Sequence, residues 1–261
     1  MILSKLRTKL NSPVHYFLED NDSLLSLNDF LGKELSISWS GKIICSKCKK
    51  STKKSFGEGF CFTCFQTAPE ASPCILKPEL CRAHLGEGRD VLYEQLHHLQ
   101  PHVVYLACTD IVKVGVTRKT QIPARWIDQG AAEVIVVAET ENRYQAGIIE
   151  VAMKGFYSDK TNWKNMLINK RDSEIDLIQE KWEALEQMPS DLSVFWTEND
   201  DILSIHYPVN NYPDSVRSIT LDEFPTIKGV LTGIRGQYLY FDEQRVLNIR
   251  RHTGYDVNIN L

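Results

Sequence analysis

The sequence predicts an α+β protein in three parts: a central three-stranded antiparallel sheet with flanking helices, a metal-organised ribbon, and a small β module built from both chain ends. Three observations predict this. Residues 103–170 read strand, strand, helix, strand, helix. Two CxxC pairs, Cys45/Cys48 and Cys61/Cys64, stand twelve residues apart. Both ends carry short alternating strands broken by Gly, Pro and Asn. The expected parts are an N-terminal β segment over 1–44, a Cys/His region over 45–102, the central domain over 103–170, a connecting helix over 171–190 and a C-terminal β segment over 191–261.

Composition narrows the function classes. An apolar fraction of 43% over 261 residues is enough for a sizeable core. No apolar run nears the ~18 residues of a membrane span. The start, MILSKLRTKLNSPVHYF, lacks a long apolar stretch and a cleavage site, so a cytoplasmic protein with no membrane partner is expected. A net charge of −4 argues against a protein that coats nucleic acid by charge alone, while leaving room for a local basic patch. The seven cysteines are odd in number and clustered, which suits reduced thiolates on a metal better than disulfides.

Taking the elements in order, VHYFLE, SLLSL and ELSISW read as strands, the last ending at Ser40-Gly41. An internal echo links the ends: HYFLE…SLNDFLGKELSISW near the start resembles HYPV…TLDEFPTIKGVLTGIRG near the end. Either these are unrelated half-buried strands, or they are two β units that pack side by side.

Cys45, Cys48, Cys61 and Cys64 have the spacing of a structural zinc site, in which four thiolates surround a tetrahedral Zn²⁺ and leave no open position. The loop between the pairs is basic, with Lys47, Lys49, Lys50, Lys53 and Lys54 close to Phe56, Phe60, Phe62 and Phe65. Two readings stay open: a solvated charged loop, or a surface that contacts phosphates and stacks on the bases of DNA or RNA. A second zinc is expected from Cys74, Cys81, His84 and a later histidine, His98 first and His102 as the alternative.

In the central segment, VVYLAC and IVKVGV form a hairpin turning at Thr109-Asp110. Alternation puts Tyr105 and Lys113 on one face beside Gly115, where a ligand can approach the backbone. Cys108 falls on the other, core face. A helix starts at Pro123 and carries Arg125, and EVIVVAET is the third strand. The next helix, 142–157, has a stripe of Arg143, Gly147, Glu150 and Lys154, with Ile148, Val151, Ala152 and Phe156 facing the core. The connecting helix, Ser173–Gln187, is expected to bury Ile175, Leu177, Ile178, Trp182 and Leu185. Arg250, Arg251 and His252 in NIRRHTGY either extend a basic surface or belong to a solvated hairpin edge.

This order, with Tyr, Lys, Arg and Glu at these positions, resembles the GIY-YIG nuclease superfamily over about 65 residues. Val103-Val104-Tyr105 stands in place of GIY, Lys113-Val114-Gly115 in place of YIG, Arg125 matches the helical arginine, Glu150 the metal-binding glutamate and Asn162 the late polar residue. The resemblance implies a phosphodiesterase site: Glu150 would hold Mg²⁺ or Mn²⁺, Tyr105 would assist water attack, and Arg125 would clamp the phosphoryl oxygens. Arg118 adds a phosphate contact by position. Val103 replaces Gly and Lys113 replaces Tyr, as in relatives with a KxG motif. A lysine holds phosphate well but is a poor general base, so cutting and mere holding both stay open.

Over nearly its whole length the chain also resembles an uncharacterised bacterial family catalogued as a conserved domain of unknown function. SFGEGFCFTCF, CILKPELCRAH, KVGVTRKTQIPARWIDQGA, TNWKNML and GIRGQYLYF…LNIRRHTGY carry that resemblance. The expected function is a zinc-containing nucleic-acid-binding protein with a nuclease-like site. The alternatives are a non-catalytic nucleic-acid or nucleoprotein module and a zinc-stabilised scaffold for a protein partner.

Overall fold

The chain begins with β1 (Arg7–Lys9), which the pattern did not indicate, and alternation then yields β2 (His15–Asp20), β3 (Ser23–Ser26) and β4 (Glu34–Ile44) as expected, followed by a further short strand, β5 (Ser51–Thr52). β4 does not end at Ser40-Gly41. Gly41, at φ 85°, carries the strand through an irregularity there, where the ladder to the C-terminal strand shifts register. After α1 (Phe62–Thr67) come short 3-10 turns at Pro69–Ala71, Pro73–Ile75, Pro78–Leu80 and Ala83–Leu85, the first three opened by proline. The chain continues with α2 (Val91–His98), β6 (His102–Cys108), β7 (Val112–Arg118), α3 (Ala124–Asp128), β8 (Glu133–Thr140), α4 (Arg143–Met153) and α5 (Trp163–Leu167). It ends with α6 (Leu177–Glu186), α7 (Ser190–Ser193), β9 (Ile202–Ser204), β10 (Arg217–Ile219), β11 (Thr226–Arg235), β12 (Tyr238–Phe241), β13 (Arg245–Asn248) and β14 (Tyr255–Asn260). The computed structural model describes residues 1–20, 23–158, 160–171 and 175–260; the expected helix start at Ser173 lies outside them.

Two units emerge. The first comprises Met1–Thr67, Ile127–Gly130 and Ile205–Leu261, so both chain ends share one unit. Its main sheet has the order β10-β13-β12-β11-β4-β14, with β5 beside β4; β10 and β13 are parallel and the other pairs antiparallel. The internal echo has a structural counterpart here. Leu27-Asn28-Asp29-Phe30 precedes β4 and Leu221-Asp222-Glu223-Phe224 precedes β11. Leu35 and Gly229, each eight residues after its leucine, are register partners. The β4–β11 pair is therefore centred on equivalent positions, as a local two-fold requires. Val14 N–H donates to His206 O at 2.8 Å, joining the segments that carry His15-Tyr16 and His206-Tyr207.

The second unit comprises Ala68–Trp126 and Ala131–Ser204. The boundary at Thr67 splits the segment 45–102, which the sequence pattern presents as one Cys/His region. The sheet here has four strands, β7-β6-β8-β9, rather than three, because β9 pairs with β8. One face packs Val104, Leu106, Cys108 and Val114 against Ala146, Ile149 and Met153 of α4 and Leu177 and Ala184 of α6. The core side of α4 is shifted from the expected one: Ile148 and Ala152 pack against the core as expected, but its buried members are Ala146, Ile149 and Met153. Val151 and Phe156 are exposed, because Gly147 and Glu150 are buried against the turn Pro78–Leu80. On α6 the buried stripe is Leu177, Lys181 and Ala184, with Ile178 exposed. Lys181 is tolerated inside because its Nζ donates to Asn199 O at 2.8 Å and to Asp200 Oδ1 at 2.9 Å.

Candidate metal centres

In the first unit, β4 delivers Cys45, and Cys48 follows in a tight turn. Lys49 N–H donates back to Cys45 O at 3.0 Å, and Cys45 N–H donates to Lys50 O at 2.9 Å. Cys61 and Cys64 lie at the start of α1. The four Sγ atoms fall within 4.8 Å of one another, with Cys48 and Cys61 3.9 Å apart. A zinc tetrahedron with bonds of about 2.3 Å has S–S edges of about 3.8 Å, so the thiolates fit the ion. Burial pushes the Cys45 thiol up, but N–H groups of Cys61, Cys48 and Lys47 outweigh it and hold the thiol down to about 6. One of these donors, Cys61 N–H, lies 3.2 Å from Cys45 Sγ.

The C-terminal NIRRHTGY segment buckles this loop onto the sheet. Arg250 pairs with Glu58, and Ser55 Oγ donates to Thr253 O at 3.1 Å. A Cβ on Gly59 would stand 2.6 Å from Thr253 Cγ2, so the close approach needs glycine. His252 is not a surface residue: it is fully buried, its Nδ1–H donates to Asn248 O at 2.7 Å and its Nε2 accepts from Leu221 N–H at 3.1 Å.

In the second unit a further group gathers Cys74, Cys81, Glu94 and His98, all buried. Cys74 and Cys81 come from the proline-opened turns. Glu94 and His98 lie one turn apart on α2, which Asp90 caps by accepting from Tyr93 N–H at 3.0 Å. Cys81 Sγ is 3.5 Å and Cys74 Sγ 3.9 Å from His98 Nδ1, and Cys74 Sγ is 3.9 Å from Glu94 Oε2. Both cysteine groups could therefore hold zinc. The ligand set differs from the sequence reading in one member: His84 is exposed and stacks on Tyr144 at 4.6 Å, and Glu94 takes its place. His102 is also outside, buried in β6 with Nδ1–H donating to Gln100 O at 2.7 Å.

The nuclease-like candidates are placed otherwise than expected. Register pairs Tyr105 with Gly115 and Ala107 with Lys113, so Tyr105 and Lys113 do share a face. Both are buried, and a Cβ at Gly115 would lie 2.7 Å from Tyr105 Oη. The glycine makes room for the phenol ring rather than for a ligand. Lys113 Nζ donates to Thr161 Oγ1 at 2.8 Å. Arg125, half-buried on α3, precedes Trp126, which packs edge-on to Tyr105 at 5.7 Å. Glu150 does not join them. It sits on α4, which covers the opposite sheet face, and it is buried and pairs with Lys154 at 3.5 Å. Burial raises the Glu150 carboxyl above the ordinary glutamate range, against the lowering pull of Lys154. Arg118 donates to His97 Nδ1 at 2.7 Å, and Asn162 caps α5 by accepting from the N–H groups of Lys164 and Asn165. These bonds give both residues local structural work.

A family model described as "Protein of unknown function (DUF2797)" matches residues 32–257. The chain belongs to the DUF2797 family. No curated protein and no solved structure matches it. In this DUF2797 protein the match spans both cysteine groups, while the likeness of the central segment to GIY-YIG nucleases rests on sequence order alone. Glu94 and Arg143 are parts of the second candidate centre that the sequence pattern did not single out. Arg143 donates from Nε to Cys74 O and from Nη2 to Ile75 O, both at 2.9 Å, and so pins the turn that carries Cys74. The four-residue spacing of Glu94 and His98 was the available signal. No helix among the described residues is long and apolar enough to cross a membrane.

Proposed function

We propose that this DUF2797 protein binds nucleic acid through its four-cysteine knuckle, gripping phosphates and bases without cutting them. One observation carries the reading. From Lys42 to Gly57 there are six lysines and no carboxylate, and all six are exposed. A zinc tetrathiolate is itself dianionic, so this surface keeps a net charge of about +4 at the metal-bound knuckle. Lys49, Lys50, Lys53 and Lys54 take part in no ion pair among the described residues, which leaves them available to phosphate. Phe62 and Phe65, on the helix that follows the loop, are exposed, with Phe56 5.5 Å and 6.0 Å away, rings of the kind on which single-strand bases stack. The buried Tyr105 and the pairing of Glu150 with Lys154 favour binding without turnover.

Fluorescence anisotropy with single-stranded and duplex oligonucleotides over a salt series tests this. Binding should weaken with salt, and Lys49, Lys50, Lys53 and Lys54→Ala together should flatten the log–log slope by about 0.7 for each single-strand phosphate no longer neutralised. No cleavage is expected with Mg²⁺ or Mn²⁺. An unchanged slope in that variant, or no binding at low salt, refutes the assignment. A protein partner is the second reading, favoured by the exposed leucines 76, 80, 85, 92 and 96 of the second unit.

A further inference from the structure

We propose that Cys74, Cys81, Glu94 and His98 bind one Zn²⁺, and that this ion holds α2 with its apolar stripe turned outward. The inference is independent of the nucleic-acid reading, which concerns the other unit.

α2 and its C-cap read VLYEQLHHL, with Leu92, Leu96 and Leu99 at offsets of four and three, the spacing of a core-facing stripe. Ordinary amphipathic packing would bury these leucines and leave Glu94 and His98 in water. The structure does the reverse: Leu92 is 78% and Leu96 69% exposed, whereas Glu94 is 3% and His98 2% exposed. Apolar burial is forgone and polar burial incurred at once, so something inside must favour the polar face. The neighbours of that face are two buried thiols, which offer Glu94 and His98 only weak sulfur hydrogen bonds at 3.5 to 3.9 Å. A bound cation resolves the conflict, because it converts four buried donors into ligands.

The donor set and spacings fit that ion. Two thiolates, an imidazole and a carboxylate form a zinc-type set with no open position. Sulfur–nitrogen and sulfur–oxygen edges of a zinc tetrahedron are about 3.6 Å, and the separations here are 3.5 to 3.9 Å. Glu94 Oε2 and His98 Nδ1 stand closer, at 2.5 Å, a hydrogen bond that the ion would replace. The surroundings are built for the group. Ser72 Oγ lies 3.0 Å from Cys74 Sγ, and Arg143 fixes the turn from outside. A Cβ on Gly88 would stand 2.3 Å from Glu94 Cγ, so bare backbone is needed for Glu94 to enter. Ligand-orienting contacts of this kind are what a metal site requires.

The test uses the full chain, purified under reductant. Elemental analysis should find two zinc per chain. X-ray absorption at the zinc edge should give an average of about three sulfur and one nitrogen or oxygen ligands, the mean of a site with four thiolates and a site with two. His98→Ala should lower the content to one zinc with four sulfurs. In that variant the α2 amides should exchange at least tenfold faster, with β11 and β12 unchanged. One zinc with four sulfurs in the parent protein overturns the proposal, and this result needs no variant to fold. Two zinc retained in both His98→Ala and Glu94→Ala also overturns it, as does a Cys74–Cys81 disulfide trapped by alkylation at lysis. Unchanged α2 exchange in a one-zinc His98→Ala protein removes the claim that the ion orients the helix.

Discussion

Gly147 sets two physical rules against each other. It lies inside α4, where helix propensity favours alanine by about 1 kcal/mol. A Cβ built there, however, would stand 2.2 Å from Glu79 N, 2.4 Å from Pro78 C and 2.8 Å from Glu79 Cα. All three are backbone atoms of the turn that leads into Cys81, so no side chain can swing aside. Comfortable carbon contacts begin at about 3.5 Å, and helix and turn would have to part by roughly 1 Å. Overpacking costs about 1–3 kcal/mol, and a clash against backbone belongs at the upper end. Offset by the propensity gain, Gly147→Ala should destabilise the second unit by about 2 kcal/mol. Urea unfolding reads this as a lower midpoint at unchanged slope. Gly155→Ala is the control: its Cβ would stand 3.5 Å from Ala152 O, and its effect should stay within about 0.5 kcal/mol. A Gly147→Ala protein as stable as the parent would refute the packing of α4 on the turn, and with it the account of why Glu150 is buried.

Three further outcomes follow from single residues. Burial lowers the His102 imidazole to about 4, and its Nε2 is buried without a hydrogen-bond partner among the described residues, so the native state keeps it neutral while the unfolded chain protonates near 6.5. Stability is therefore full above 6.5 and falls as pH drops towards 4, by roughly 3 kcal/mol in all; His102→Asn should remove up to about 1.4 kcal/mol per pH unit of that slope in paired urea titrations. Glu150 has the opposite sense: its raised carboxyl disfavours folding at pH values above the ordinary 4.5. Glu150→Gln should thus raise the urea midpoint at pH 7, with the gain vanishing below about 4.5, and a loss at pH 7 would show that the charge itself is needed. Lys49 adopts φ 60°, a left-handed conformation costing about 1 kcal/mol for a side-chain-bearing residue. Lys49→Gly should raise the melting temperature of the first unit while weakening oligonucleotide binding by one phosphate contact, and the two readouts moving together would contradict a charge kept for function.

Strand periodicity made most of the fold legible, and its failures have identifiable causes. The hairpin β6–β7 has the expected faces because alternation is strict and Cys108 ends on the core side. The rotations of α4 and α6 differ from expectation for one shared reason. A buried polar side chain looks like a solvent face to any periodicity count. Glu150 is covered by a turn distant in sequence, and Lys181 is paired with Asp200, which lies beyond the helix. The fourth strand of that sheet, read from alternation within ILSIHYPV, was expected in the C-terminal β segment, because β9 lies far along the chain from β8 and only pairing assigns it to this sheet. The local two-fold of the first unit left a trace in the sequence, yet register alone turns that trace into a pairing.

The two candidate metal centres divide along the same line. The four-cysteine knuckle was readable because its ligands are local and of one kind. The other centre needed a choice between faces of α2, and two sound rules disagreed. Hydrophobic spacing sends Leu92 and Leu96 inward; ligand counting sends Glu94 and His98 there. Cys74 and Cys81 supply two donors, and a closed zinc site needs two more. Residues four apart on a helix meet that need, whereas His84, on the turn next to Cys81, is drawn off by Tyr144. On the proposed coordination, the bonds to the ion outweigh apolar burial in setting the rotation of α2, and the leucines left outside are the part of this surface with most to gain from a partner.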